Sequence, residues 1–219
     1  MLLMRILLGL SATVSGLGQA MASDLPLRQK VIEEADRLLN LSNISYVYGG
    51  RQIGALDDCD QCTECLEQKQ PSKDERFSQC QICHRCSLDC SNFVSLVFKR
   101  AGMRAPYLTT LQMRQSSDQR LRQSYSWINL GANGNRALPG DIIVYPGHVV
   151  ILEKLHKPGI GDVVHATSGK EIRGPGLGIQ RHRRVRLANY KGPLQKVLRH
   201  VGIMKELSQR LSRKGKKGS

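Results

Sequence analysis

The sequence predicts an α+β domain with N-terminal helices packed on one face of a five-stranded, mainly antiparallel sheet. Apolar residues recur at helical spacing over residues 27–40 and again from Cys90 to Arg100. From Pro139 onward, short runs rich in Val and Ile alternate with glycine-containing turns, which is strand patterning. Helices therefore come before strands instead of alternating with them, and that order favours segregated layers over a parallel βαβ sheet.

The first 22 residues hold one early cation, Arg5, then an apolar stretch and the small residues Ala20 and Ala22. This is the layout of a secretory signal peptide cleaved after Ala22. The apolar run is too short and too rich in Gly and Ser to suit a span of ~20 residues.

Residues 23–205 are expected to form the domain. Asp24 and Pro26 suit a helix start, and Leu27, Val31, Ala35, Leu38 and Leu39 mark one face of a helix ending near Asn40. Ile44 to Tyr48 reads as a short extended piece stopped by Gly49-Gly50, and residues 57–86 form a Cys-rich insert. Phe93, Val94, Val97 and Phe98 give the second helix its apolar stripe, and residues 104–136 read as a polar connection with some helix around Trp127. Five strands follow. Asp141–Tyr145 and His148–Glu153 flank the turn Pro146-Gly147 as an antiparallel hairpin, and Val163–Ala166, 179–187 and 197–203 complete the set. Residues 206–219 are basic with little apolar content and are expected to be a disordered tail.

Charge is unevenly placed. Residues 1–169 hold 18 Lys/Arg against 16 Asp/Glu, whereas residues 170–219 hold 15 against 2. A positive region of this kind suits an anionic envelope polymer or lipid; nucleic acid is not expected as a partner of an exported chain. A solvated basic run that only aids solubility is the plainer alternative.

The seven cysteines divide into two triplets, Cys59-Cys62-Cys65 and Cys80-Cys83-Cys86, plus Cys90. In an oxidising compartment the six suggest three disulfides, and a nested pairing would staple a short helical hairpin. Four of them instead have the bite for a structural zinc. Cys80, Cys83, Cys86 and Cys90 also have ferredoxin-like spacing, but Ser91 stands where Pro is usual and the first triplet lacks a fourth ligand. Disulfide and zinc remain open at this level.

Cys90 is left over at the start of a helix. Helix N-terminal amides stabilise a thiolate, so the position predicts a lowered pKa. A nucleophile also needs a base and a group that orients the base. His148 begins one strand and His165 lies inside the next, so both imidazoles are expected on one side of the sheet, facing the Cys90 helix. The assignment is Cys90 as nucleophile, His148 as base and acid, and His165 as orienter, with no cofactor needed. A structural strand histidine and an inert core cysteine are the bland readings of the same residues.

Four blocks in order resemble the NlpC-like family of bacterial cell-wall cysteine endopeptidases. They are Tyr46-Val47-Tyr48-Gly49-Gly50, Asp89-Cys90-Ser91 with its apolar helix, Leu138-Pro139-Gly140-Asp141 before His148-Val149-Val150-Ile151, and His165-Ala166 with Ser168-Gly169. The resemblance runs from about residue 27 to residue 170 and implies a papain-like α+β fold. It implies hydrolysis of a peptidoglycan stem bond, commonly the one between D-glutamate and a diamino acid, by Cys90, His148 and His165. It further implies that Tyr46 lines the site and that Asp89 and Ser91 contact the substrate's charged ends. The same catalytic set would serve an amidase cutting between glycan and stem. A non-catalytic, cationic envelope-binding protein with a metal-binding insert is the alternative outside enzymes. The chain departs from the family in two places: Asn92 stands where Gly is usual, and the insert lies on the rim of the expected groove.

Overall fold

A computed structural model describes residues 26–41, 44–54, 56–72, 75–168 and 178–215; the expected signal peptide at 1–22 lies outside them. Helix α1 (Leu27–Asn40) follows Pro26 and buries Val31, Ala35 and Leu38. Its first N–H is donated to Glu206 Oε2 at 2.9 Å, so the cap comes from the far end of the chain. Strands β1 (Ser45–Tyr46) and β2 (Arg51–Ile53) flank the Gly49-Gly50 turn.

The insert contains α2 (Leu56–Lys69), the single turn α3 (Arg76–Gln79) and a 3₁₀ turn at Gln81–His84, and leads into β3 (Cys86–Leu88). Its six cysteines pair as Cys59–Cys86, Cys62–Cys83 and Cys65–Cys80. The reason for this nesting is geometric. The first triplet rides one face of α2 at three-residue steps, and the chain then folds back, so the second triplet meets the first in reverse order. These pairings fit the disulfide reading of the two triplets.

Helix α4 (Cys90–Arg100) precedes α5 (Thr110–Gln115), α6 (Asp118–Tyr125) and β4 (Trp127–Asn129). The remaining elements are β5 (Ile142–Tyr145), β6 (His148–Lys157), β7 (Ile160–Thr167), β8 (Gly178–Arg186), β9 (Lys196–His200) and α7 (Val201–Gly215). The fold is mixed α+β.

The main sheet has six strands in the order β4-β9-β5-β6-β7-β8, not five, and all its pairings are antiparallel. The extra strand is β4, inside the segment expected to be a polar connection. Three residues are too few for an alternation signal, and Trp127 is drawn in by packing on Phe98 and His200. A second correction concerns the C-terminus, where α7 extends to Gly215 and replaces the disordered tail expected from residue 206. Ile203, buried in the main core, anchors its first turn.

The strands sort their side chains with period two. Ile142, Val144, Val149, Ile151, Val164 and Ala166 share a core with Val31 and Leu38 of α1 and with Phe93, Val94, Val97 and Phe98 of α4. Ile143, Tyr145, Val150, Leu152 and Val163 face the other way, against Leu187, Leu194 and Val197. Beneath the sheet ends, the Asp141 carboxylate is wholly buried and takes Arg199 Nε at 2.8 Å and Nη2 at 2.7 Å.

Candidate active site

The three-stranded sheet β1-β3-β2 brings the Tyr46 loop to the cysteine block. β1 runs parallel to β3 with Tyr46 opposite Leu88, and β2 runs antiparallel with Arg51 opposite the same residue. The Asp89 N–H is donated to Gly50 O at 3.1 Å. Gly50 is required by this approach, because a Cβ there would lie 2.7 Å from the Ser87 carbonyl oxygen. Gly49 makes the turn at φ +81°.

Asp89 caps α4. Its Oδ1 accepts from the Asn92 N–H at 2.7 Å, the Asn92 Nδ2 at 3.1 Å and the Ser91 hydroxyl at 2.9 Å. The Asn92 amide thus folds back to complete the cap. Oδ2 of Asp89 makes no hydrogen bond among the described residues. The Tyr107 hydroxyl lies 3.4 Å from Ser91 Oγ, and Arg51 is close enough to lower the Tyr107 pKa that burial raises. Tyr46 is half-buried against the core cluster that holds Cys90.

Cys90 is the free cysteine and is only 5 % exposed. Its sulfur interacts with the backbone N–H groups of Val149, Ser91 and its own residue. Of these, the Val149 N–H belongs to β6, in the residue after His148. Burial, and after it the neighbouring Asp89 charge, push the thiol up to about 12 against the pull of those amides. The lowered pKa predicted from the helix terminus is thus reversed, because a dry environment outweighs three amides when the nearest charge is also negative.

His148 Nε2 and His165 Nδ1 are 2.7 Å apart, so the structure brings the two predicted histidines together. They do share a side of the sheet, but it is not the side of α4. His165 lies between Val164 and Ala166, both in the α4 core, and period two turns its ring to the opposite face. There it meets Tyr190, whose hydroxyl lies 2.9 Å from His165 Nε2 and 2.6 Å from His182 Nδ1. The expected geometry therefore needs correction: both imidazoles lie on the sheet face opposite α4 and not across the helix–sheet interface.

Burial, then the Lys191 charge and His182, lower the His148 pKa to about 4. Burial, then His148, His182 and the Lys191 charge, lower His165 further still. Lys191 also sits over the Tyr190 ring, 5.3 Å from its centroid. At rest the thiol and both imidazoles are therefore neutral.

Sequence reasoning missed Tyr190, His182 and Lys191. His182 carried a signal, since His148, His165 and His182 are evenly spaced on three consecutive strands, and β8 sets His182 opposite Val163. Tyr190 lies in a turn after β8 and carries no periodic signal.

The sequence matches no protein-family model and no curated protein. Among solved structures the chain is similar to the peptidoglycan hydrolase RipB from Mycobacterium tuberculosis. That similarity has 17% sequence identity and a TM-score of 0.44, and covers 82% of this chain and 70% of that one.

Proposed function

We propose that the chain is an exported cysteine peptidase that hydrolyses peptide bonds in peptidoglycan stems. Cys90 is the nucleophile, His148 the general base and acid, and His165 the group that orients His148. One observation supports this reading above the others. The free thiol stands at the first residue of α4, the Val149 N–H that lowers its pKa belongs to the strand that His148 begins, and His148 Nε2 lies 2.7 Å from the Nδ1 of a second histidine. The sequence blocks around Tyr46, Cys90, His148 and His165 supply the substrate class.

Because thiol and imidazole rest neutral, the nucleophile is made only when it is used. As sulfur bonds to the scissile carbonyl carbon, the Cys90 proton passes to His148 Nδ1 and the carbonyl electron pair moves onto oxygen. A backbone N–H at the start of α4 stabilises that oxyanion, a contact worth about 3 kcal/mol when well aligned. Collapse breaks the C–N bond, and the leaving amine takes the proton from His148. Water then gives a proton to His148 and its oxygen to the thioester, releasing the acid and restoring the thiol. No cofactor enters these steps.

Asp89 Oδ2, the Ser91 and Tyr107 hydroxyls and Arg51 surround the approach to the thiol and would hold the stem's ammonium and carboxylate groups, with Tyr46 lining the site. Export into an oxidising compartment suits the three disulfides. No helix among the described residues is long and apolar enough to cross a membrane. Arg183, Arg184 and Arg186, exposed on β8, would add to a basic surface for an anionic envelope polymer.

Purified muropeptides digested with wild type and with Cys90→Ala test the reading. Wild type is expected to release fragments and the variant none, and fragment masses distinguish the bond between D-glutamate and the diamino acid from an amidase cut. Equal product from both proteins, or none from either, refutes it.

A further inference from the structure

His165 has two ring nitrogens, and only one faces His148. The other is engaged by the Tyr190 hydroxyl, which in turn reaches His182. The four groups form one unbroken run from β6 across β7 to the turn after β8, with separations of 2.7, 2.9 and 2.6 Å. Each link holds one proton, and each neutral imidazole has one N–H and one bare nitrogen. With the Tyr190 hydrogen inside the run, the run can point in only two directions.

In one direction His182 Nδ1 is bare and accepts from the Tyr190 O–H. The Tyr190 oxygen then accepts from the Nε2–H of His165. Nδ1 of His165 is consequently bare and accepts from the Nε2–H of His148, which leaves His148 Nδ1 bare and able to take a proton. In the other direction every proton is reversed, and Nδ1 of His148 carries a hydrogen and cannot act as a base. Burial and the positive charge of Lys191 oppose an extra proton on His148 or His165.

We infer that Tyr190 and His182 are positioning residues which, through His165, set the tautomer of His148, and that the direction taken is the one with Nδ1 free, as proton transfer from Cys90 requires. The inference rests on the cysteine-peptidase reading for its purpose, but the tautomer belongs to the resting protein whatever the substrate proves to be. The run also explains why a histidine, with two usable nitrogens, serves in the orienting position: a carboxamide there would transmit nothing from Tyr190.

The test is nitrogen-15 NMR on histidine-labelled protein, which reads the tautomer of each ring directly. Wild type should show His148 and His165 protonated at Nε2. Tyr190→Phe should convert His148 to a mixture of tautomers and lower kcat about ten- to a hundredfold with KM little moved, the size usual for loss of a group that orients a catalytic residue. His182→Leu should act in the same direction. His182→Asn, which keeps an acceptor where Nδ1 stood, should recover part of the lost kcat. A wild-type His148 protonated at Nδ1, or a tautomer unaltered by Tyr190→Phe, overturns the inference even if the muropeptide digest succeeds. A failed digest with the expected tautomers overturns the peptidase reading and leaves the relay standing.

Discussion

Acid should unfold this protein through its buried imidazoles, and His148 allows the effect to be sized. Burial and Lys191 bring its pKa from 6.5 down to about 4 in the folded chain. Below pH 6.5 the unfolded chain binds a proton that the folded chain refuses, so stability falls as pH drops through that window and levels out below the folded pKa. The full shift corresponds to about 3 kcal/mol, at 1.36 kcal/mol for each pH unit. Between pH 7 and 4.5, about 2 kcal/mol of this is lost. The perturbation is His148→Gln, which removes the titrating ring and keeps an amide. Urea unfolding of wild type and variant, stepped from pH 7.5 to 4.5, isolates the contribution, because carboxylates such as Asp162 titrate in both proteins. The wild-type curve should fall more steeply by about 2 kcal/mol over the window. Parallel curves would show that His148 is not held neutral by the fold, and the account of proton transfer on attack would go with it.

Asp141→Ala should cost about 3–5 kcal/mol by thermal or urea unfolding, because it strands the Arg199 guanidinium with its carboxylate partner gone. A loss below 1 kcal/mol, measured the same way, contradicts that reading. Asp89→Asn keeps an acceptor for the α4 cap but removes the charge that helps raise the Cys90 thiol, so alkylation by iodoacetamide at pH 8–9 should quicken. An unchanged rate would assign the raised pKa to burial alone. Replacing Cys59 and Cys86 together by Ser opens the longest of the three nested loops, with a sequence separation of 27, and should cost about 3 kcal/mol. Because β3 leads directly to Asp89 and Cys90, that variant should also lose more muropeptide hydrolysis than the matching change at Cys65 and Cys80.

Helices α1 and α4 and the five longer strands were legible from apolar residues at helical spacing or in short runs between turns. The cysteine insert was legible in kind but not in state: equal steps within each triplet suit either a metal or a disulfide ladder, and only the reversal of the chain decides. Strand β4 was hidden by its length, and α7 by the sparse apolar content that follows Ile203. The site shows the same division. Sequence order singled out Cys90, His148 and His165 and put both histidines on one side of the sheet, but the wrong one, because which face α4 covers is settled by packing and not by period. The thiol pKa was misjudged because a helix terminus can be read from sequence, whereas desolvation depends on what packs over it. Tyr190 could not be found at all, since a turn residue has no period and its partner lies 25 residues away.

The nested disulfides also act as register pegs during oxidative folding. If the two arms of the insert slip by one step, Cys59 meets Cys83 and Cys62 meets Cys80, leaving Cys65 and Cys86 unpaired. Cys86 lies just four residues ahead of Cys90. A misregistered insert thus leaves Cys90 close in sequence to a free thiol on β3, and a stray bridge between the two would consume the Cys90 thiol until a disulfide isomerase reshuffled it. Correct pairing of the outer rung is what keeps Cys90 a thiol.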